Sequence, residues 1–267
     1  MAYENFIVER AGAVATVYFN RPEKLNPITG KLLTEMLELA AEFRDDEESR
    51  VIILTGKGRS FCAGADIGGL TANAGAKAQG AQTDAGRLRA ARTGWRVMDE
   101  WERLDQVTIA AVNGFAIGGG LSLAMACDFR IAAAGARIWI PEVALGVPYM
   151  WGSVTRLINL VGMGRAKEMI MTCDEIVAEE ALTIGLVNRV VPAGREVDEA
   201  LVLATRIAEN GPLAVRTVKR LVRSCTTHGG DAGWPRPSEL AAVFGSKDAL
   251  EGAQAFAEKR APRFVGQ

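Results

Sequence analysis

The chain has 267 residues, 49% of them hydrophobic and 24% charged, the balance of a compact water-soluble fold rather than a disordered or fibrous one. Its 31 basic residues offset 32 acidic ones for a net charge of −1, so no global field draws it to nucleic acid or to an acidic membrane, and neither partner is expected. Four widely separated cysteines without a CxxC pair, and a single histidine, His228, argue against disulfides, zinc and most histidine-based nucleophilic sites. Carboxylates and backbone donors are left to carry any chemistry.

No stretch approaches the ~18 uninterrupted apolar residues of a membrane helix, and the opening Met1-Ala2-Tyr3-Glu4-Asn5 lacks the basic and apolar regions of a signal peptide, so a cytoplasmic location is expected. From Phe6 to Phe19, two β-branched and aromatic runs turn at Ala11-Gly12, which predicts a hairpin. Prolines at 22 and 27 make Arg21–Pro27 a loop. Leu32, Leu33, Met36, Leu37, Ala40 and Phe43 then recur at helical spacing, with Glu35, Glu38 and Glu42 elsewhere on the wheel. Val51–Thr55 reads as a buried strand stopped by Gly56–Ser60.

Leu70–Gly86 is poor in large apolar residues and is expected as a mobile surface loop. A helix through Leu88, Ala91, Trp95 and Met98 precedes a second buried strand, Val107–Val112. Phe129–Ala132, Arg137–Ile140 and Leu186–Val191 are further β-like runs, after which the pattern is almost wholly helical, with Arg216, Lys219, Arg220 and Arg223 expected mostly on the solvated face of a helix from Pro212. Strands interleaved with helices and followed by a helical tail predict an α/β core with a C-terminal cap and no break into independent domains.

Two glycine-rich sites follow the two buried strands. Asn113-Gly114-Phe115-Ala116-Ile117-Gly118-Gly119-Gly120 leaves a strand and enters an Ala/Leu/Met helix. Missing Cβ atoms and free N–H groups at a helix start admit a negatively charged oxygen; tight helix-to-sheet packing is the competing reading. Ser60-Phe61-Cys62-Ala63-Gly64-Ala65-Asp66-Ile67 is the second site, and one donor from each would make an oxyanion hole. Nucleotide motifs fail: Leu123 stands where a G-x-G-x-x-G register needs glycine, and Gly56-Lys57 is followed by Gly58. Asp66 and Asp128 read as loop- or cap-ordering residues, and His228 as a solvated loop residue.

These segments, with Pro22-Glu23-Lys24-Leu25-Asn26 and Pro141-Glu142-Val143-Ala144-Leu145-Gly146, resemble in order and spacing the motif series of the crotonase (enoyl-CoA hydratase/isomerase) superfamily. The similarity runs over essentially the whole chain. It implies a crotonase-like spiral of ββα repeats over residues 1–195, bearing the acyl-CoA site. Residues 196–267 would form a C-terminal helical oligomerisation region of the same structural unit, giving a homotrimer or hexamer. The resemblance also implies an acyl-CoA thioester substrate, with coenzyme A entering only as part of it and no permanently bound cofactor or metal. The N–H groups of Ala65 and Gly119 would hold the thioester oxygen, and Lys24, Leu25, Ala63, Asp66, Ile67, Gly118 and Lys259 would line the CoA and acyl path.

Hydratases of the family use two glutamates, and here Glu142 matches the later one while Ser122 stands in place of the first. A serine hydroxyl is too weak an acid or base to replace a carboxylate unaided. One-carboxylate proton transfer by Glu142, as in the family's Δ3-Δ2-enoyl-CoA isomerases, is therefore the favoured reaction. The alternatives are a hydratase with Ser122 replacing the first glutamate, another single-base reaction, and a non-catalytic acyl-CoA-binding protein. The apolar neighbours Trp139, Ile140, Val143, Ala144 and Leu145 predict an upward pKa shift for Glu142. Met150 and Trp151 are expected near the acyl pocket.

Overall fold

The computed structural model describes residues 3–66, 84–145, 148–228, 246–248, 251, 255, 258 and 260–267. The expected hairpin is β1 (Phe6–Ala11) and β2 (Val14–Phe19), antiparallel with Phe6 opposite Phe19, and its turn holds Gly12 at φ 56°. Parallel pairing then adds β3 (Val51–Gly56), β5 (Val107–Val112), β7 (Phe129–Ala133) and β10 (Arg189–Val191) in the order β1-β2-β3-β5-β7-β10. Every residue of β3 and β5 is buried, which is why both read as unbroken apolar runs.

A second sheet is built from strands of two or three residues, of which the sequence pattern marks only the one within the Arg137–Ile140 run. These are β4 (Ser60–Cys62), β6 (Phe115–Ile117), β8 (Arg137–Trp139) and β9 (Ile176–Val177), ordered β4-β6-β8-β9, with only the β8–β9 pair antiparallel. Each of β3, β5 and β7 passes by a short turn into its second-sheet partner and then toward a helix: α2 (Asp84–Glu102), α3 (Gly119–Met125) and α4 (Ser153–Thr172). This is the expected spiral of ββα repeats, each turn stacking its strands parallel on the last. The anticipated surface loop Leu70–Gly86 lies outside the described residues up to position 83, and α2 begins at Asp84, ahead of Leu88.

Helix α1 (Gly30–Arg44) starts at Thr29, whose Oγ1 accepts the Leu32 N–H at 3.1 Å, and buries Leu32, Leu33, Met36, Leu39, Ala40 and Phe43. Glu35 departs from the sequence reading, because it is buried instead of lying on the polar face. Its carboxylate accepts the N–H groups of Glu4 and Asn5 and the Asn5 side-chain amide, closing off the start of β1. Burial alone would push its pKa up, but the bonds from Asn5 and Glu4 outweigh this and hold it below the usual carboxylate value.

Three more helices follow: α5 (Ala178–Thr183), α6 (Glu196–Ala208) and α7 (Pro212–His228). Ala200 and Ala204 of α6 are fully buried against Val51, Ile53, Ile109 and Ile131, so its small-residue face closes the outer side of the first sheet. Lys219 of α7, expected on a solvated face, is instead enclosed. Its Nζ lies 2.6 Å from the Gln106 carbonyl and 2.7 Å from Asp128 Oδ2, which also accepts the Thr108 N–H and hydroxyl. Asp128 is thus a structural tie between β5 and α7.

The loop that leads to the first glycine site is fastened by Asn26, fully buried at φ 56°. Its amide nitrogen donates to the carbonyls of Lys57 and Ser60, and its Oδ1 accepts the Arg21 N–H. Beyond it the chain runs beside residues 63–66: Ala63 N–H donates to Leu25, Ile28 N–H to Gly64 and Asp66 N–H to Ile28. Asn26→Ala removes all three side-chain bonds and leaves a buried carbonyl unpaired, so we expect a loss of about 2–4 kcal/mol in denaturant unfolding, with thioester binding weakened in the protein that remains folded.

Candidate active site

The two glycine segments, more than fifty residues apart in sequence, are packed against each other. A Cβ on Gly64 would lie 2.7 Å from the Ile117 carbonyl oxygen and 3.7 Å from the Gly119 nitrogen, and one on Gly120 would lie 2.2 Å from the Cys62 carbonyl oxygen. Only glycine allows backbone to approach backbone so closely at these points. Ala65 sits opposite Ile28 in an isolated parallel bridge, whose ladder bonds are made by its neighbours Gly64 and Asp66. Among the described residues, no backbone bond is formed by the Ala65 N–H, and Gly119 opens α3, where the helix supplies no acceptor for its N–H.

Glu142 reaches the same place from the end of β8. The Gly118 N–H donates to the Trp139 carbonyl at 2.8 Å, tying β8 to the entrance of α3. Gly118 lies at φ 49° and ψ −113°, and a Cβ there would meet Glu142 Oε1 at 2.3 Å. Glu142 Oε2 is buried with no hydrogen-bond partner among the described residues. Burial raises the Glu142 pKa, only partly opposed by its own backbone N–H. The predicted direction and its cause, desolvation, both hold, but Val143, Ala144 and Leu145 are exposed, and it is buried Ile140 and the glycine turn that lie on the enclosed side.

Trp151 closes the floor. Its six-membered ring would meet a Cβ on Gly119 at 2.6 Å, while the indole Cε2 would lie 2.1 Å from one on Gly94 of α2. The ring is wedged between two glycines, one on each helix. Arg156 holds this turn by donating to the Trp151 carbonyl at 3.3 Å and by pairing with Glu102 of α2. Met150, named with Trp151 in the sequence reading, is half exposed.

Ser122 lies one turn into α3, fully enclosed. Its hydroxyl bonds the Gly118 carbonyl and Tyr149 Oη, and it accepts the Ser153 hydroxyl at 2.6 Å. Tyr149 and Ser153 escape a reading of the sequence, since neither stands in a recognisable motif and only the fold of the 148–153 turn brings them to Ser122. Leu25, Ala63, Ala65, Gly118, Gly119 and Glu142 are brought together, Asp66 is half-buried beside them, and Lys24 is exposed on the 3-10 turn Pro22–Lys24 leading in. Ile67, Lys259 and the side chain of His228 lie outside the described residues. Burial pushes the Cys62 and Cys127 thiols up to about 12, so neither supplies a thiolate. Among the described residues, no cluster of His, Cys, Asp and Glu is grouped to hold a metal ion, and no helix is long and apolar enough to cross a membrane.

The family model for enoyl-CoA hydratase/isomerase matches residues 9–267. The chain belongs to this family. An enoyl-CoA hydratase/isomerase family enzyme from Syntrophomonas wolfei, a crotonyl-CoA hydratase, is 39% identical over 273 residues and covers all of both chains. A short-chain-enoyl-CoA hydratase of Clostridium acetobutylicum is 40% identical over 97% of each chain. The crystal structure of an enoyl-CoA hydratase from Bacillus anthracis superposes with a TM-score of 0.89 at 36% identity, over 99% of this chain and 100% of that one. The ββα spiral described above is therefore the crotonase fold.

Two outcomes follow from this geometry. Gly118→Ala places a methyl group against the Glu142 carboxylate at a positive φ, and displacement of about 1 Å at a reacting group is expected to lower turnover ~100-fold, measured as kcat with CD confirming the fold. Glu142→Gln is expected to raise Tm near neutral pH and to lose that advantage in acid. The sign follows from the raised pKa: the folded state favours protonated Glu142, and wild-type stability falls as pH rises through the folded-state pKa.

Proposed function

We propose that this enzyme transforms an acyl-CoA thioester by one-carboxylate proton transfer, with Glu142 as acid and base and the N–H groups of Ala65 and Gly119 as the oxyanion hole. The observation that carries this reading is that, among the described residues, Glu142 Oε2 beside the Gly118 turn has no hydrogen-bond partner and the Ala65 and Gly119 N–H groups make no backbone bond. With a 3-enoyl-CoA, the Glu142 carboxylate takes a proton from C2 and the C–H electron pair moves into an enolate, whose charge reaches the thioester oxygen. Two preorganised donors stabilise that charge, and loss of one such donor typically costs ~10²–10³ in rate. As the enolate collapses, the double bond moves to C2–C3 and the Glu142 carboxyl returns its proton to C4, restoring the carboxylate without water. Coenzyme A enters only as part of the substrate.

Ser122 supports isomerisation over hydration, because its hydroxyl is engaged by Gly118, Tyr149 and Ser153 and presents no second acid or base. The names of the relatives from Syntrophomonas wolfei and Clostridium acetobutylicum favour hydration instead. Separate incubations decide between them. Growth of 2-enoyl thioester absorbance from 3-hexenoyl-CoA, without added water mass, is expected; water addition to crotonyl-CoA at ordinary hydratase rates, with no isomerisation, would overturn the preference. Under either reaction Glu142→Ala should lower kcat by about 10²–10⁴ while sparing thioester binding. A wild-type protein that binds acyl-CoA without turning any over would point to a binding protein. The same reading includes assembly into trimers or hexamers, which light scattering checks.

A further inference from the structure

Behind the glycine turn lies a closed set of three hydroxyls. Ser122, Tyr149 and Ser153 are 1%, 6% and 0% exposed. Ser153 Oγ donates to Ser122 Oγ at 2.6 Å, Ser122 Oγ donates to Tyr149 Oη at 3.1 Å, and Tyr149 Oη donates to the Gly118 carbonyl at 3.3 Å. The Ser122 hydroxyl also lies 3.2 Å from that carbonyl, and the Ser122 backbone N–H donates to it at 3.0 Å. Within the set, only the Gly118 carbonyl has no proton to give, so the chain of donors ends on it.

The Gly118 carbonyl and the Gly119 N–H are two ends of one peptide group. Resonance couples them: drawing electron density onto the carbonyl oxygen makes the C–N bond more double and its N–H more positive. Hydrogen bonds linked in series through such groups strengthen one another, most of all where water is excluded. Gly119 N–H is the group that the preceding section assigns to the thioester oxygen, and the present inference rests on that assignment.

We propose that Tyr149, Ser122 and Ser153 are positioning residues that polarise the Gly118–Gly119 peptide and so strengthen the Gly119 N–H as a donor to the thioester oxygen. Ser122 thereby serves the reaction from the side of the peptide away from the substrate. Simple space-filling would not require three hydroxyls joined in a chain, since each buried hydroxyl is costly unless bonded. Tyr149 remains a donor throughout, because burial, reinforced by the nearby negative charge of Glu142, holds its phenol protonated well above the usual tyrosine range. Polarisation matters most when charge develops on the thioester oxygen, so its loss should appear in kcat more than in KM.

The experiment is isotope-edited infrared spectroscopy of hexanoyl-CoA, labelled at the thioester carbonyl and bound to the full-length protein. Wild type should shift the carbonyl band below its position in free hexanoyl-CoA. Tyr149→Phe, which keeps the ring, should return the band part of the way and lower kcat about 3- to 10-fold at nearly constant KM, a fraction of the ~10²–10³ for losing a donor outright. Ser153→Ala should move both readouts in the same direction by less, and it keeps the proposal testable if Tyr149→Phe does not fold. A shifted wild-type band that neither variant moves would overturn the polarisation while leaving Gly119 as the donor. An unshifted wild-type band would instead remove the oxyanion assignment, and the proposal with it.

Discussion

At the entrance to α3, three consecutive glycines let three unrelated parts of the chain touch one stretch of backbone. Gly118 admits the Glu142 carboxylate, Gly119 the ring of Trp151, and Gly120 the carbonyl of Cys62. A single Cβ at any of them would fall 2.2–2.6 Å from its neighbour, well inside contact distance. The parallel stacking of β4, β6 and β8 delivers these neighbours to the same height, and the site exists because nothing at the junction holds them apart.

That close approach has an electrostatic consequence. A carboxylate enclosed by a glycine turn, with one oxygen lacking a partner among the described residues, is poorly solvated, and the fold bears the cost of holding it there. Glu35 shows the opposite solution in the same molecule, where burial is offset by N–H groups aimed at both oxygens and the pKa falls. One glutamate is buried and satisfied; the other is half-buried, with its Oε2 enclosed and its charged form disfavoured. The contrast separates a carboxylate whose charged form the fold favours from one whose charged form it disfavours.

Ser122, on the wall behind the glycine turn, is bonded into a hydroxyl chain that ends on the Gly118 carbonyl. Its hydroxyl is directed into the peptide wall. Trp151, seated between Gly94 and Gly119, fills the space between the two helices beside this wall.

Local pattern sufficed for the hairpin, α1, β3 and β5, because each is long enough to show its periodicity or carries an unbroken buried run. It was also enough to mark the glycine segments and Glu142, since those residue types stand in motifs. The second sheet was not legible as a sheet, because strands of two or three residues are defined by their parallel neighbours rather than by their own pattern. Glu35 and Lys219 read as surface charges, since the groups that satisfy them lie 30 and 113 residues away in the chain. Likewise, sequence nominated Ser122 as an absence of carboxylate, and only the tertiary structure supplied Tyr149 and Ser153. Residue type determined which groups were available for chemistry, whereas packing decided which of them face substrate and which face the peptide behind it, because direction and desolvation depend on contacts that span the chain.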